Sequence, residues 1–274
     1  GGLDSRLVIK LLKQRYGAKN VEAVYFKLGF YANNNLKNIK KFLKKEKIKL
    51  KIFDITGSDL LKSYLSMLEH PKHGRGKGFN PCVDCKIWML RHVKKYYDKR
   101  YGGDYVISTG EVKGQRGMSQ TSQKLNLISK RLGFYVYRPL IELGIEGRKR
   151  HKQINLANKF NINYPNPSGG CLLCERDLKE KYKFLVENDL IDNNTINIIN
   201  IGRHFSMPVF KQRIWFVVGK NKQENDIIES MKTSIKSGKA KPSVYYHVPM
   251  KIDKEVKNKI KQKAMELQEA YSKH

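Results

Sequence analysis

Apolar positions along the chain alternate between helical spacing and short extended runs. Ser5–Tyr16 reads as a helix and Val21–Leu28 (VEAVYFKL) as a strand. Leu36–Lys47 is a basic helix with apolar positions at Leu36, Ile39, Phe42 and Leu43, the three-and-four spacing of one helix face. Leu50–Ile55 (LKIFDI) predicts a second strand and Asp59–Glu69 a third helix. Tyr105–Ser108 (YVIS) and Phe134–Tyr137 (FYVY) read as further strands. Helices that separate short apolar strands predict an α/β fold, a Rossmann-like parallel sheet with helices on both faces. In such sheets ligands sit at the carboxyl ends of the strands. Gly1–Ser5 and Thr109-Gly110-Glu111 follow such ends, so both are expected to face one crevice.

The texture changes near Asn161. Asn163–Gly170 is turn-rich and leads into Cys171. Arg176–Asn188 reads as a helix, Ile196–Phe205 and Val209–Val218 as strands, Gln223–Lys236 as a helix, and Ile252–Ala270 as a basic terminal helix. The pattern divides the chain into a larger domain over residues 1–189 and a small α+β module over 190–274.

Composition sharpens the choice of partner. The 274 residues are 40% hydrophobic, enough for a core, and no run of about 18 apolar residues offers a membrane span. Lysine and arginine number 55 against 25 aspartates and glutamates, a net charge of +30. So strong a field favours a polyanion, with nucleic acid ahead of a lipid surface. Lysine, asparagine and isoleucine are abundant throughout, so part of the excess reflects compositional drift.

Candidate chemistry begins at the first residue. Gly1-Gly2-Leu3-Asp4-Ser5 runs straight into a helix. Glycines let main-chain N–H groups approach an anion, and a helix start favours negative charge. The turn therefore reads as a phosphate cradle, though it is not the Walker pattern. Such a turn follows a buried strand, so an apolar strand and one more small residue are expected ahead of Gly1. Thr109–Gln120 is a polar loop after a strand, in which Gln115 and Arg116 are candidates for ligand or RNA contact. His70–Gly78 carries three glycines with Lys72, Arg75 and Lys77, and is expected to be a mobile basic loop that closes over a polyanion.

The four cysteines form two C-x-x-C pairs, Cys82/Cys85 and Cys171/Cys174. In a cytosolic chain this pattern favours metal or redox chemistry over disulfides. Asn80 and Pro81 suit a helix start just before Cys82. Both thiols of that first turn share a face, and the helix N-terminus with Lys86 is expected to favour thiolate. Two readings stand: all four cysteines hold one zinc ion, or three hold an iron–sulfur cluster or carry a persulfide.

Together these residues make the chain similar to the PP-loop ATP pyrophosphatases, whose signature is Ser-Gly-Gly-x-Asp-Ser. Asn80-Pro81-Cys82-x-x-Cys85, Gly114-Gln115-Arg116-x-Met118-Ser119-Gln120 and Gly169-Gly170-Cys171-Leu172-Leu173 resemble motifs of its tRNA thiouridine synthetases, the 2-thiouridylases and 4-thiouridine synthetases. The resemblance runs from Gly1 to Glu175 and implies an adenine nucleotide alpha hydrolase-like fold. It implies ATP on Gly1, Gly2, Leu3, Asp4 and Ser5, with Thr109 and Gly110 beside it and Mg²⁺ on the phosphates. ATP then adenylates a uridine carbonyl oxygen of tRNA, and sulfur replaces that oxygen. Cysteine stands at position 82, where the persulfide-type 2-thiouridylases have aspartate. That favours a [4Fe–4S] cluster on Cys82, Cys85 and Cys171, with Cys174 a spare thiol or sulfur carrier, and zinc or a cysteine persulfide as alternatives. Asp4 and the four cysteines are the implied catalytic set, and Arg75, Lys77, Gln115 and Arg116 the RNA contacts. The implied sulfur donor is a cysteine desulfurase, a carrier protein or sulfide, and the implied setting is cytoplasmic, with no membrane.

Gly202-Arg203-His204-Phe205 and Val218-Gly219-Lys220-Asn221…Glu224-Asn225 are weakly similar to the RNA-binding module of fibronectin-binding-like ribosome-quality-control proteins. Two other classes compete with the thiolation reading. One is a PP-loop synthase acting on a small molecule, with a structural four-cysteine zinc site, which does not need a +30 field. The other is a non-catalytic RNA-binding protein, against which the intact Asp4 and Ser5 argue.

Overall fold

A computed structural model describes residues 1–29, 36–56, 59–165, 170–238, 240–248 and 252–272. The chain divides into two compact units, Gly1–Lys179 and Glu180–His274, against the expected division at 189/190. Among the described residues, no helix is long and apolar enough to cross a membrane.

The first unit is mixed α/β. Its elements are α1 (Leu3–Tyr16), β1 (Glu22–Lys27), α2 (Leu36–Glu46), β2 (Lys49–Asp54), α3 (Asp59–Glu69), α4 (Cys82–Tyr101), β3 (Ile107–Ser108), α5 (Ser122–Leu132), β4 (Val136–Tyr137), α6 (Pro139–Glu142) and α7 (His151–Lys159). The described strands form two parallel pairs. β1 lies on β2 from Glu22↔Lys49 to Lys27↔Asp54, and β3 lies on β4 through Ile107↔Val136 and Ser108↔Tyr137. The two-residue pairing of β3 and β4 is shorter than the runs YVIS and FYVY predict.

Helix α1 organises this unit. Leu3, Leu7 and Val8 pack with Val112, Leu140, Ile145, Ala157 and Ile162, while Ile9 and Leu12 pack on the cluster of Val21, Ile39, Leu43 and Ile48. Burial on both flanks fixes its first turn. Lys10 and Lys13 reach the buried Glu46 of α2 at 2.7 and 3.0 Å, which offsets the desolvation of that carboxylate. Helices α5 and α7 lie outside the predicted set. α5 begins where Thr121 accepts from Lys124 N and ends at Gly133, φ 72°, while the apolar signal of α7 is short and flanked by basic residues.

The second unit contains α8 (Lys179–Glu187), α9 (Asn193–Ile198), β5 (Arg203–Val209), β6 (Gln212–Val218), α10 (Lys222–Glu229), β7 (Ser234–Ile235), β8 (Val244–Tyr246) and α11 (Lys254–Ala270). The strands form an antiparallel sheet in the order β5-β6-β8-β7. Ile214, Phe216, Val218 and Val244 pack against Ile260, Ala264 and Leu267 of α11. The expected strand from Ile196 is instead helix α9. Asp192 accepts from Asn194 N and Thr195 N at 2.8 Å, and Thr195 Oγ1 accepts from Asp192 N, a capping box that outweighs the β-branched run. The helix predicted to reach Lys236 stops at Glu229.

The residues that suggest an RNA-binding module knit this unit together. Gly202 N and Lys220 N both donate to Glu224 Oε2, and Ser243 N donates to Asn225 Oδ1. Gly202 has φ 71°, and a Cβ there would lie 2.5 Å from Val217 Cγ1.

Candidate active site

Helix α1 starts at Leu3 rather than Ser5, with Gly2 as its cap. Gly2 has φ −81° and nothing within 4 Å of where a Cβ would stand. Its contribution is therefore open space over the helix N-terminus rather than a backbone angle closed to other residues. The Leu3 side chain is in the core, so only its N–H can face an anion. Ser5 is exposed and Asp4 half-buried. Burial raises the Asp4 carboxyl above its ordinary value, while a hydrogen bond from Gln115 and the charges of Arg150 and Arg116 pull it down. Its Oδ2 accepts from Gln115 Nε2 at 3.2 Å, and its buried Oδ1 has no partner among the described residues.

The polar loop after β3 lies directly on this turn. A Cβ at Gly110 would stand 3.0 Å from Asp4 C and Ser5 N, so only glycine lets the Thr-Gly turn come so close. Thr109 N donates to Tyr137 O, and Thr109 Oγ1 donates to Glu111 Oε2. Glu111 is buried between Lys86 Nζ and Arg138 Nε, the latter at 2.8 Å. Burial opposes its charge, but Lys86 and Arg138 prevail and hold the carboxyl below its ordinary value. Lys86 is on α4, one residue past Cys85, so this carboxylate joins the thiol helix to the loop beside α1.

No protein-family model matches the chain, and no curated protein matches it. The arrangement is therefore read from its geometry.

The two cysteine pairs come together. Cys174 is the neighbour that raises the Cys82 thiol most, with burial adding to it. Cys171 beside it is the largest cause that pushes Cys174 up to about 11. Cys85 is pushed up to about 11 by burial, against a hydrogen bond with Tyr64 Oη at 3.3 Å. The expected thiolate is thus overturned: Lys86 draws Cys82 and Cys85 down, but less than burial and the neighbouring sulfur raise them. Asn80 does not cap α4. It donates to Cys82 Sγ at 3.1 Å, and Pro81 occupies the cap position. Among the described residues, no group of three or more His, Cys, Asp and Glu is set to hold a metal ion.

Residues 70–81 form a tethered strap, which corrects the expectation of a mobile loop. Asp84, inside the first C-x-x-C, accepts from Lys72 N at 3.1 Å, His73 N at 3.0 Å and His73 Nδ1 at 2.9 Å. Arg131 Nε donates to His73 Nε2, which places the imidazole proton on Nδ1. Gly76 N donates to Asn80 O at 2.8 Å. Arg75 donates to Glu69 O and Phe79 O and stacks 4.0 Å over the Phe79 ring. Of the two basic RNA candidates in the strap, Arg75 is thus engaged internally and Lys77 is exposed. At the far end, a Cβ on Gly78 would stand 2.5 Å from Leu173 O and 2.7 Å from Cys174 C.

Geometry thus joins Asp4, Ser5, Thr109, Gly110, Gln115 and Arg116 in one region and the four cysteines in another, with Lys86 and Glu111 between. Ser168 and Gly169, which lead into Cys171, lie outside the described residues. Sequence reasoning missed Lys86 and Glu111 as linking residues, Asp84 as the anchor of the strap, and Arg148 and Arg150. An acid in the middle of a C-x-x-C and a lone acid within a basic loop were the available signals.

Proposed function

We propose that the chain is an ATP-dependent tRNA-thiolating enzyme of the PP-loop kind, acting in the cytoplasm. One observation carries the reading. The Thr109-Gly110 turn packs on the start of α1, Gln115 Nε2 donates to Asp4 Oδ2 at 3.2 Å, and Glu111 of the same loop pairs with Lys86 beside Cys85, so one loop joins the helix start to the thiol helix. On this reading the two parallel strand pairs belong to one Rossmann-like sheet, and α1 and the Thr109-Gly110 turn meet at its ligand edge.

The residues fit a nucleotide. Free N–H groups at the α1 start, open space at Gly2 and an unpartnered buried Asp4 Oδ1 suit phosphates with a bound Mg²⁺, which would neutralise their charge. A uridine carbonyl oxygen of tRNA attacks the α-phosphorus of ATP. Its bond to oxygen forms as the bond to pyrophosphate breaks, and the base is left adenylated. Arg116 and the α1 N–H groups stabilise the charge on the transferred phosphoryl group. Sulfide then adds to the carbonyl carbon and AMP leaves with the oxygen. Where the sulfur arrives instead as the persulfide of a cysteine desulfurase or carrier protein, its terminal sulfur adds, AMP leaves, and a second thiol cleaves the S–S bond, giving the thiocarbonyl and a disulfide.

The thiols fit a thiophilic group in kind, and Cys82, Cys85 and Cys171 would hold a [4Fe–4S] cluster, with Cys174 beside them. When bound, such a cluster supplies an open iron for sulfide. The protein's own part is to bring the paired thiols together and to hold the half-buried Cys85 against Tyr64. The +30 charge suits a tRNA partner. The deciding experiment is mass spectrometry of tRNA nucleosides from cells lacking the gene. Loss of one thiouridine is expected, and an unchanged nucleoside profile would overturn the reading.

A further inference from the structure

Two loops close on each other beside the α1 turn. Gly147 N donates to Lys113 O at 2.7 Å, and Lys113 pairs with Glu146 in a parallel bridge and through an ion pair of 3.1 Å. A Cβ at Gly114 would stand 3.5 Å from Gly147 Cα, so the two backbones run in contact. The first loop continues into Gln115, Arg116 and Gly117, and the second into Arg148, Lys149 and Arg150. Arg148 Nη2 lies 3.9 Å from where a Gly117 Cβ would stand, while Gln115 reaches Asp4. Arg116 and Arg150 both draw down the Asp4 carboxyl, so both charges lie near the turn.

Beyond its pull on Asp4, the charge at this closure is not taken up by hydrogen bonds or ion pairs among the described residues. Arg116, Arg148 and Arg150 make no side-chain hydrogen bond and no ion pair among the described residues, and Arg150 Nε is buried without a partner. Burying a guanidinium N–H without an acceptor is costly, and like charges gathered on one turn repel. An anion with several oxygens relieves both costs, and the guanidinium fork suits phosphate oxygens better than any other common group.

We infer that Arg116, Arg148 and Arg150 form a phosphate clamp on the two zipped loops, separate from the N–H groups of α1. Its ligand is a phosphate, either the outer phosphates of the nucleotide or a phosphodiester of the RNA. The nucleotide source rests on the proposed function, whereas the RNA source needs only the clamp. Because the loops are joined by Lys113, Gly114, Glu146 and Gly147, the clamp is set before ligand arrives.

Titration calorimetry of the full chain tests it with three probes: inorganic pyrophosphate, AMP, and a single-stranded RNA oligonucleotide across a salt series. Variants are Arg148→Ala, Arg150→Ala and Arg150→Lys, with melting temperature as a check of folding. Either alanine variant should weaken one phosphate probe about tenfold or more and leave AMP unchanged, and Arg150→Lys should restore only part of the loss. A loss confined to pyrophosphate assigns the clamp to the nucleotide. A loss confined to RNA, with a shallower salt dependence, assigns it to the phosphodiester. Unchanged affinity for both in folded variants overturns the clamp and leaves the proposed function standing. A wild-type chain that binds neither AMP nor pyrophosphate, yet loses RNA affinity in the variants, overturns the nucleotide reading and upholds the clamp.

Discussion

Gln115 Nε2 donates to Asp4 Oδ2 at 3.2 Å across 111 residues of chain. The bond ties the polar loop to the start of α1 and stabilises the Asp4 anion, which burial opposes. Asp4→Asn should therefore lower AMP-forming ATP turnover by about 10²–10³-fold, the scale of one lost electrostatic contact to reacting groups. Gln115→Ala should be milder and should move the acidic limb of the pH–rate profile upward. The sign follows from the cause: without the donor, Asp4 keeps its proton to higher pH. An acidic limb that stays in place in Gln115→Ala would show that Asp4 does not set it.

Gly78 tests whether the strap spaces the thiols. Its missing Cβ leaves room for Leu173 O and the Cys174 carbonyl, so Gly78→Ala must push the second cysteine turn away. Overpacking of this kind costs about 1–3 kcal/mol. Oxidative cross-linking of Cys82 to Cys174, followed by peptide mass spectrometry, should slow markedly in this variant. Asp84→Asn, which weakens the other anchor at Lys72 and His73, should slow it too. Cross-linking at the wild-type rate in both variants would mean that the strap does not set the spacing.

Much of the frame is legible in the residues. α2 and α3 follow their apolar periodicity, β1 and β6 fall within the apolar runs that predict them, and β2 starts one residue ahead of its run. Local hydrogen bonds defeat the pattern elsewhere. Ile196–Ile199 has strand composition, yet the Asp192–Thr195 box fixes a helix. Thiolate at Cys82 follows from a helix start and a nearby lysine, but the burial that reverses it depends on which segment covers the turn. That segment lies 89 residues away at Cys171 and Cys174 (171 − 82), a separation no local pattern encodes. Gly78 and Gly114 read only as loop residues until the backbone each one meets is known.

Lys86, Glu111 and Arg138 should behave as one unit. Lys86→Met leaves a buried carboxylate with a single cationic partner, and breaking such a pair costs about 3–5 kcal/mol. Thermal unfolding checks the loss. Glu111 is next to Gly110 on α1, so ATP affinity should fall with stability in Lys86→Met. Adding Glu111→Leu to Lys86→Met should restore part of the stability but not the affinity. Additive losses from the two changes would refute the coupling.

Glu229 gives the second unit a dependence on acid. Its carboxylate accepts from Ser237 N at 2.9 Å, Ser237 Oγ at 2.5 Å and Ser243 Oγ at 2.6 Å, and these bonds hold its pKa at about 2. A depressed carboxyl contributes stability that is present above its ordinary pKa of 4.5 and is lost as pH falls toward 2. Melting curves should shift down between pH 5 and about 2, and Glu229→Gln should flatten that slope. An equal slope in the variant would assign the acid sensitivity to other groups.

The thiols act at the opposite end of the pH scale. Cys85 and Cys174 keep their protons to about 11 in the folded chain, where an ordinary thiol releases its own near 9.0. Their raised values contribute stability that is present below 9.0 and lost as pH climbs toward 11. Replacing Cys85 with serine should reduce this alkaline loss. Alkylation needs thiolate and access, so Cys174, which is exposed, should react before Cys85, which is half-buried and hydrogen-bonded to Tyr64. Labelling with iodoacetamide and peptide mass spectrometry across pH 7–10 should show Cys174 rising steadily with pH, with Cys85 far behind. Rapid labelling of Cys85 at neutral pH would mean that its burial and raised pKa are not those of the protein in solution.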